Sequence, residues 1–230
     1  MIEIVRGTAA QLHAREVEGM PSFSASWNVV TAPALVLGSA QPIDTIDHAV
    51  AAAEGIEVVR RRSGGGSVLM LPGEMCWLDV VVPRDDPRWS DDVGRAMWWL
   101  GDVWVAALAE CGISGSVHHA GLEGGDLARV VCFAGRGAGE VIAGHVVAGH
   151  VVAGHGESTA VAKLVGISQR RTRVAARLQS SLHLVWRPQL VADLIADATV
   201  TEELLAPLVA TVDVSAERLL AELEAALHTS

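Results

Sequence analysis

The order of apolar and polar residues along the chain predicts alternating strands and helices. Short apolar runs that end at glycine, proline or charged residues are typical of buried strands. Such runs predict strands at residues 2–5, 33–41, 56–60, 67–71, 75–82, 129–133, 160–168 and 178–186. Helical spacing or a capped start predicts helices at residues 9–17, 42–53, 90–111, 189–197 and 214–228. Because strands and helices interleave without a strict βαβ period, we expect an α/β fold in which helices pack on a mixed sheet.

Composition and charge narrow the class of protein. The 230 residues carry a net charge of −10, and half of them are apolar, so we expect one large domain, with room for a small appendage. No apolar run reaches the ~18 residues that span a bilayer, and the first residues do not resemble a secretory signal. Three scattered cysteines argue against a disulfide framework. We therefore expect a cytoplasmic protein that binds neither membranes nor, given its acidity, nucleic acids.

A glycine-rich turn between two apolar runs is the strongest local signal in the sequence. Three arginines at positions 60–62 are followed by Ser63, three glycines at 64–66, and Ser67; we call residues 61–67 the glycine turn. Successive glycines tolerate positive φ and let backbone N–H groups approach a ligand closely. Arginine offers forked donors that fit phosphate or carboxylate. The turn is therefore either an anion-binding cradle or a solvated hairpin with basic flanks.

Lys163 is the only lysine in a chain whose other basic residues are arginines. It lies in an apolar run that predicts a strand, where it is either a functional cation or a strand-edge residue without a task. Lysine supplies a compact charge on a flexible stem, which suits tasks that arginine does not perform. Lys163 also begins a basic cluster with Arg170, Arg171, Arg173 and Arg177. In an acidic chain, such a cluster favours a focused anion site over a polynucleotide track.

Together, the glycine turn and the Lys163 run resemble the lipoate–protein ligase A family, within the superfamily of biotin and lipoate ligases and octanoyltransferases. That family carries Arg-Arg-x-Ser/Thr-Gly-Gly-Gly and, later, Lys-x-x-Gly-Ser/Ile-x-Gln-Arg, which occupy residues 60–66 and 163–170 here. A strand ending in Gly-x-x-Gln, at Gly38 and Gln41, resembles the strand that lines the family's acyl site. The resemblance covers residues 25–186. It implies a biotin/lipoate-ligase-like catalytic domain at 1–186 and a C-terminal helical extension at 187–230.

The resemblance implies acyl activation and transfer. Lipoate or octanoate would attack the α-phosphate of ATP, accompanied by Mg²⁺, and the resulting acyl-AMP would acylate a lysine of a lipoyl domain. Lys163 would be the catalytic residue, stabilising the negative charge that grows in both half-reactions. The residues expected to bind the adenylate are Arg61, Ser63, Gly64, Gly65, Gly66, Ser67 and Gly166.

Two further hypotheses stay open. One branch of the family keeps an acyl-accepting thiol ahead of the lysine strand, where Cys132 stands here, and this implies an octanoyltransferase supplied by acyl carrier protein. A cation near Cys132 would favour the thiolate, although a small buried cysteine often serves only as a hydrophobe. Ligases commonly have His-Asp where this chain has Met70 and Leu71. The third hypothesis is therefore a non-catalytic domain that binds an acyl or nucleotide ligand.

A tandem repeat at residues 143–155 places His145, His150 and His155 at a spacing of five. A metal site would need these side chains on one face. Residues five apart point to opposite faces of a strand, and on a helix they are rotated by roughly 140°. We therefore predict a duplication that lengthens a hairpin, within an insertion at residues 141–158, and no metal site.

Overall fold

The computed structural model describes residues 1–16, 20, 22–144, 146–147, 150–151 and 162–229. Its strands are β1 (Glu3–Gly7), β2 (Ser24–Val30), β3 (Ala34–Leu37), β4 (Glu57–Arg60), β5 (Val68–Met70), β6 (Met75–Pro83), β7 (Gly115–Val117), β8 (Val141–Ala143), β9 (Val146–Val147), β10 (His150–Val151), β11 (Lys163–Arg171) and β12 (Ala175–His183). Its helices are α1 (Ala9–Ala14), α2 (His48–Ala53), α3 (Trp98–Glu110), α4 (Gly125–Val130), α5 (Pro188–Leu194), α6 (Glu202–Leu205) and α7 (Ala216–Thr229).

The strands form two mixed sheets and one short hairpin. The large sheet has the order β1-β2-β6-β12-β11-β8-β7, in which β1 and β2 are parallel and the other neighbours antiparallel. The small sheet has the order β4-β3-β5, with β3 parallel to β4 and antiparallel to β5. β9 and β10 form a ladder of their own. The predicted α/β fold with a mixed sheet and packed helices is confirmed.

Alternation along the strands divides the apolar residues among three cores. Helices α3 and α7 cover one face of the large sheet, and α7 buries Leu219, Leu223 and Leu227 there at a spacing of four. Helices α2, α5 and α6 cover the outer face of the small sheet, which Leu35 and Leu37 reach from β3. The intervening Val36 points the other way, into a third core between the two sheets. Residues that the two sheets carry on these facing surfaces are therefore brought together.

One predicted strand is wrong. Residues 129–133 read as a strand because Val130 and Val131 are β-branched, but α4 runs to Val130 and a 3₁₀ turn follows at Cys132–Ala134. The last helical turn uses the Val131 N–H, which donates to Leu127. Pairing is limited to a bridge between Val131 and Ser67. Tertiary contacts thus override the local preference for a strand, and only Val131 pairs as a strand residue would.

Other elements differ from prediction at their ends or were not predicted. Helix α3 begins at Trp98 rather than near residue 90, because Ser90 and Asp92 cap turns of their own. Helix α2 begins at His48, capped by the Asp47 carboxylate, after a separate 3₁₀ turn at Ile43–Thr45. Strand β2 was not predicted, whereas helix α6 falls within the predicted helical extension at 187–230. Sequence patterns therefore located most elements, and the caps determined where several of them start.

The segment beyond residue 186 contributes to all three cores, and Val209 reaches the one between the two sheets. Helices α5 and α6 belong to the core of the small sheet and α7 to that of the large sheet. Between them the chain returns to β11, where the Ala210 N–H donates to the Lys163 carbonyl over 2.9 Å. The domain boundary after residue 186 stays a prediction.

The predicted insertion at 141–158 lies largely outside the described residues, as do His145 and His155. Of this segment, the structure describes β8, β9 and β10. No helix in the described part of the chain is long and apolar enough to cross a membrane.

Candidate active site

A cavity of about 690 Å³ opens between the glycine turn and β11. Its walls include predicted site residues from distant parts of the sequence, namely Gly64, Gly65, Cys132 and Lys163, together with Glu140. Gln41, Ile167 and Ser168 complete the inner wall. The topology that apposes the two sheets therefore brings the glycine turn, the lysine and the cysteine to one cavity.

A second cavity of about 30 Å³ lies between the two sheets and shares Cys132, Ile167 and Ser168 with the first. Much of its wall is apolar, with Met70, Trp77 and Phe133 as the largest side chains. Met70 is buried there. Since a thioether cannot transfer protons, this position supplies an apolar wall instead of the acid–base group that a histidine would offer.

Close packing excludes side chains from Gly65 and Gly66 of the glycine turn and from Gly38 beside it. A Cβ on Gly38 would lie 1.8 Å from the carbonyl oxygen of Gly65, which itself has a φ of +96°. A Cβ on Gly66 would lie 2.7 Å from the backbone nitrogen of Cys132. The motif therefore needs these glycines for close backbone packing and, at Gly65, for a left-handed conformation.

Arg61 is a buried residue that holds the shape of the turn. Its guanidinium donates to the carbonyl of Gly64 through Nε and Nη2, to Gly66 over 2.8 Å and to Val36 over 3.1 Å. Burial lowers the pKa of Arg61, while the neighbouring Cys132 and Glu140 oppose that shift. The contact of Arg61 with a phosphate stays a prediction, because its described bonds go to the protein backbone.

The two serines of the turn make internal hydrogen bonds. Ser63 Oγ lies 3.1 Å from Ser168 Oγ and donates to Gln179 Oε1 over 3.2 Å, which ties the turn to β11 and β12. Ser67 Oγ donates to the carbonyl of Val130 over 2.8 Å. Both side chains are almost fully buried. These hydrogen bonds stabilise the conformation of the turn. The role of the two serines in adenylate binding stays a prediction.

Lys163 lies against the cavity wall in a buried ion pair that the sequence did not predict. Its Nζ donates to both carboxylate oxygens of Glu140, at 3.0 and 2.9 Å, and to the carbonyl of Cys132 at 2.7 Å. The ammonium also lies 5.0 Å from the centre of the Phe133 ring, a distance at which cation–π attraction acts. Lys163 is 3% exposed and Glu140 is 4% exposed. A charged pair buried to this degree is costly unless its geometry is well satisfied, as it is here.

A local irregularity in β11 directs Lys163 toward the cavity. The pairing register between β11 and β8 shifts between Lys163 and Val165. Leu164 and Val165 both pack into the core of the large sheet, so the usual alternation is broken between them. Gly166 faces back toward the small sheet, against the Phe133 ring. A bulge of this kind re-aims a side chain, and here it places Lys163 on the same side of the strand as Gly166.

Cys132 presents its thiol at the junction of the two cavities. It begins the 3₁₀ turn after α4, and its N–H donates to the Ser67 carbonyl over 3.0 Å. Its side chain is partly buried, and Arg61 lines the smaller cavity beside it. Its carbonyl is held by Lys163. The structure therefore brings together both residues that the sequence nominated for covalent or electrostatic chemistry.

Arg177 lies away from the cavity, although the sequence placed it in a basic cluster with Lys163. Its guanidinium pairs with the buried carboxylate of Asp79. It also donates to the carbonyls of Leu12, His13 and Arg15 at the end of α1. The cluster is therefore divided, because Arg177 anchors α1 to the large sheet. In the described part of the chain, no group of three or more His, Cys, Asp or Glu side chains could hold a metal ion.

Comparison with known proteins identifies relatives of this fold. The family model of the lipoyl protein ligase A/B catalytic domain matches residues 15–194. Among solved structures, the bi-partite lipoate protein ligase of Thermoplasma acidophilum aligns with a TM-score of 0.73 at 13% identity, covering 99% of this chain and 82% of that chain. A lipoate-protein ligase A bound with ATP aligns with a TM-score of 0.71 at 18% identity, covering 99% and 84%.

A putative lipoate protein ligase from T. acidophilum with bound lipoic acid aligns with a TM-score of 0.70 at 15% identity, covering 99% of this chain and 84% of that chain. No curated protein gives a significant match to the sequence. At these identities, the likeness to solved structures establishes the fold.

Proposed function

The chain belongs to the lipoyl protein ligase A/B catalytic-domain family, and from this premise we propose that it activates lipoate or octanoate with ATP and transfers the acyl group to a lysine of a lipoyl domain. The observation that carries the proposal is that Gly64, Gly65 and Lys163 line one cavity. Relatives of the same fold support the choice of substrates. One is described with bound lipoic acid, one with ATP, and one together with its E2 lipoyl domain.

In the activation step, a carboxylate oxygen of the acyl substrate bonds to the α-phosphorus of ATP. The bond from that phosphorus to the bridging oxygen breaks, which releases pyrophosphate and leaves acyl-AMP. Gly64 carries no side chain, and the space that a Cβ would occupy there is open. The backbone of the glycine turn can therefore approach the phosphates closely. Mg²⁺, when bound with ATP, would neutralise phosphate charge; it remains a prediction.

In the transfer step, the neutral amine of the acceptor lysine attacks the acyl carbonyl, and AMP departs with the bonding electrons of the C–O bond while the nitrogen releases one proton to the departing phosphate or to solvent. Negative charge grows on the carbonyl oxygen, and Lys163 at the cavity wall is a buried cation that would stabilise it. The cavity excludes much of the solvent around Lys163, which strengthens that interaction. The same cation thus serves both steps.

A cysteine-dependent octanoyltransferase is the second candidate, because Cys132 also lines the cavity. Its thiolate would attack the thioester of octanoyl-acyl carrier protein, form an enzyme thioester and release the carrier thiol. The acceptor amine would then displace Cys132 in the same way that it displaces AMP. Arg61 also lines the small cavity that Cys132 shares with the large one, so the cysteine lies close to a buried cation.

One experiment separates these candidates. The protein is incubated with a lipoyl domain and either lipoate plus ATP or octanoyl-acyl carrier protein, and the acceptor is weighed by intact-mass spectrometry. Acceptor modification in the ATP arm alone supports the ligase, and modification in the carrier arm alone shows a transferase. Modification in neither arm favours a non-catalytic ligand-binding domain or a missing partner subunit.

Two variants assign the chemistry to a residue. Under the ligase proposal, Lys163→Ala lowers the rate by ~10²- to 10³-fold, because it removes the cation that stabilises the transition state. Cys132→Ser is then nearly silent. Under the transferase hypothesis, Cys132→Ser is inactive, and the native protein accumulates an octanoyl mass increment on Cys132. An active Lys163→Ala ligase contradicts the proposed role of Lys163.

A further inference from the structure

Glu140 is a buried carboxylate that no sequence motif singles out. Besides Lys163, its side chain accepts hydrogen bonds from the backbone N–H of Gly137 at 2.6 Å and of Ile167 at 3.1 Å. Its own carbonyl accepts from the N–H of His118 at 2.8 Å. The preceding Gly139 has a φ of +88°, and a Cβ there would lie 2.6 Å from Met97. The backbone before Glu140 and the carboxylate itself are thus both fixed.

The Glu140 carboxylate connects the Lys163 side chain to the backbone of β11 at the point where the pairing of β8 with β11 ends. β8 begins at Val141, immediately after Glu140, and pairs with β11 at Val165 and Lys163. Ile167 lies beyond that pairing, and the Glu140 side chain takes its N–H in place of a strand neighbour. One carboxylate therefore contacts β11 at two residues that lie four positions apart, Lys163 and Ile167. Lys163 is therefore held by a carboxylate that is itself hydrogen-bonded to the backbone of β11.

The same contact determines the charge at this wall of the cavity. A buried ammonium without a partner tends to lose its proton or to move toward water. Glu140 compensates Lys163 where both are almost excluded from solvent. The Cys132 carbonyl accepts a further hydrogen bond from the ammonium but adds no counter-charge.

We propose that Glu140 is a positioning residue whose counter-charge holds the Lys163 ammonium against the cavity wall, where it can meet negative charge on the acyl substrate. The inference rests on the proposed function of Lys163. The packing around Lys163 also explains why a glycine follows it by three residues. A Cβ at Gly166 would lie only 3.1 Å from the Phe133 ring, so glycine leaves room for the ring that packs against the lysine.

Amine labelling tests the ion pair without any assay of activity. Lys163 is the only lysine, so a water-soluble N-hydroxysuccinimide ester reacts with this side chain and the N-terminus, which peptide mapping separates. We expect Glu140→Gln to label Lys163 at least about tenfold faster than the native protein, because the amine loses its counter-charge. The matched control is Glu123→Gln, which removes a carboxylate paired with Arg136 on the surface; its labelling should equal the native rate.

Kinetics test the positioning role. In Glu140→Gln, we expect kcat for acceptor modification to fall by roughly 10- to 100-fold, with the KM for the lipoyl domain unchanged. Glu140→Asp keeps the charge and should recover part of the loss. If Glu140→Gln is insoluble, Glu140→Asp is used in both assays instead. Its rate of Lys163 labelling should then lie between the native rate and the tenfold higher rate expected for Glu140→Gln.

The outcomes separate the two proposals. Labelling of Lys163 at the native rate, or a folded Glu140→Gln with native kcat, overturns the role of Glu140. A native protein that modifies no acceptor in either arm overturns the proposed function, while faster labelling in Glu140→Gln still establishes that Glu140 holds the charge of Lys163.

Discussion

At the scale of single residues, Gly166 links the sequence motif to the geometry of the site. The family motif places glycine three residues after the lysine, and the structure shows the Phe133 ring occupying that space. Gly166→Ala should destabilise the protein by about 1–3 kcal/mol, since the ring or the strand must move, and it should lower the rate of acyl transfer. Chemical denaturation and the acceptor-mass assay measure the two effects. Gly121→Ala is the control, because a Cβ there meets nothing within 4 Å; equal stability of both variants contradicts the argument.

Two buried histidines should make the protein sensitive to mild acid. Burial lowers the pKa of His183 from 6.5 to about 4 and that of His13 to about 3, with Lys163 and Arg177 adding to the respective shifts. The unfolded chain therefore binds these protons at higher pH than the folded one, so stability is complete above pH ~6.5 and falls as pH drops toward 4. Between pH 7 and 5 the loss should be about 4 kcal/mol in total.

Urea denaturation at several pH values tests this acid sensitivity. His13→Gln and His183→Gln should each flatten the dependence on pH, because each removes one of the two titrating groups. His48→Gln, which alters an exposed histidine, should leave the dependence unchanged. A native protein that is equally stable at pH 7 and pH 5 contradicts the prediction.

Unusual residue types in the sequence identified some residues of the site and missed others. Lys163 was identifiable because it is the single lysine, and the glycines because three in succession are rare outside special turns. Glu140 was not identifiable, since it lies 23 residues before Lys163 with the repeat between them, and no local spacing connects the two. The role of Arg61 was also hidden, because sequence cannot distinguish an arginine that meets a ligand from one that donates to carbonyls of its own turn.

At the scale of elements, strands were predicted where burial dominates and missed where other contacts decide. β3, β5 and β6 are short apolar runs buried between layers, so pattern and structure agree. In the segment 125–134, a helix and a 3₁₀ turn replace the predicted strand because α4 takes the backbone donor of Val131. Helix α2 starts where the Asp47 side chain caps it, and α3 starts only at Trp98 because Ser90 closes a separate turn before it.

The repeat should be dispensable as an element. β8 and β11 already meet at its base, where the Ala143 N–H donates to the Ala162 carbonyl over 2.9 Å. β9 and β10 form a separate ladder. Deleting residues 146–155 leaves residues 144–145 and 156–161 to connect the two strands, a length typical of loops. We expect the melting temperature to stay within a few degrees of native, as measured by calorimetry. Loss of soluble protein on deletion would show instead that the repeat packs against the core.

At the scale of the whole molecule, the C-terminal segment closes both sides of the fold. The family model ends at residue 194, at the end of α5. The helices beyond it still contribute to two cores, since α6 joins α5 in one and α7 completes another. Val209 bridges to Lys163 across the start of β11. Sequence patterns predicted that this segment is helical but not which sheet each helix packs on, because an apolar helix face does not specify its partner.

Removal of this segment should therefore unfold the protein and not merely shorten it. A chain ending at Trp186 exposes the apolar faces that α5, α6 and α7 cover, and we expect it to be insoluble or to melt without cooperativity. Leu223→Ala tests the same packing more gently, since Leu223 is fully buried and its truncation should cost about 2–5 kcal/mol. The control is Leu204→Ala, at a side chain that is 51% exposed, which should change stability by less than about 0.5 kcal/mol. A truncated protein that melts cooperatively near the native temperature would contradict this account and would make residues 1–186 an independent domain.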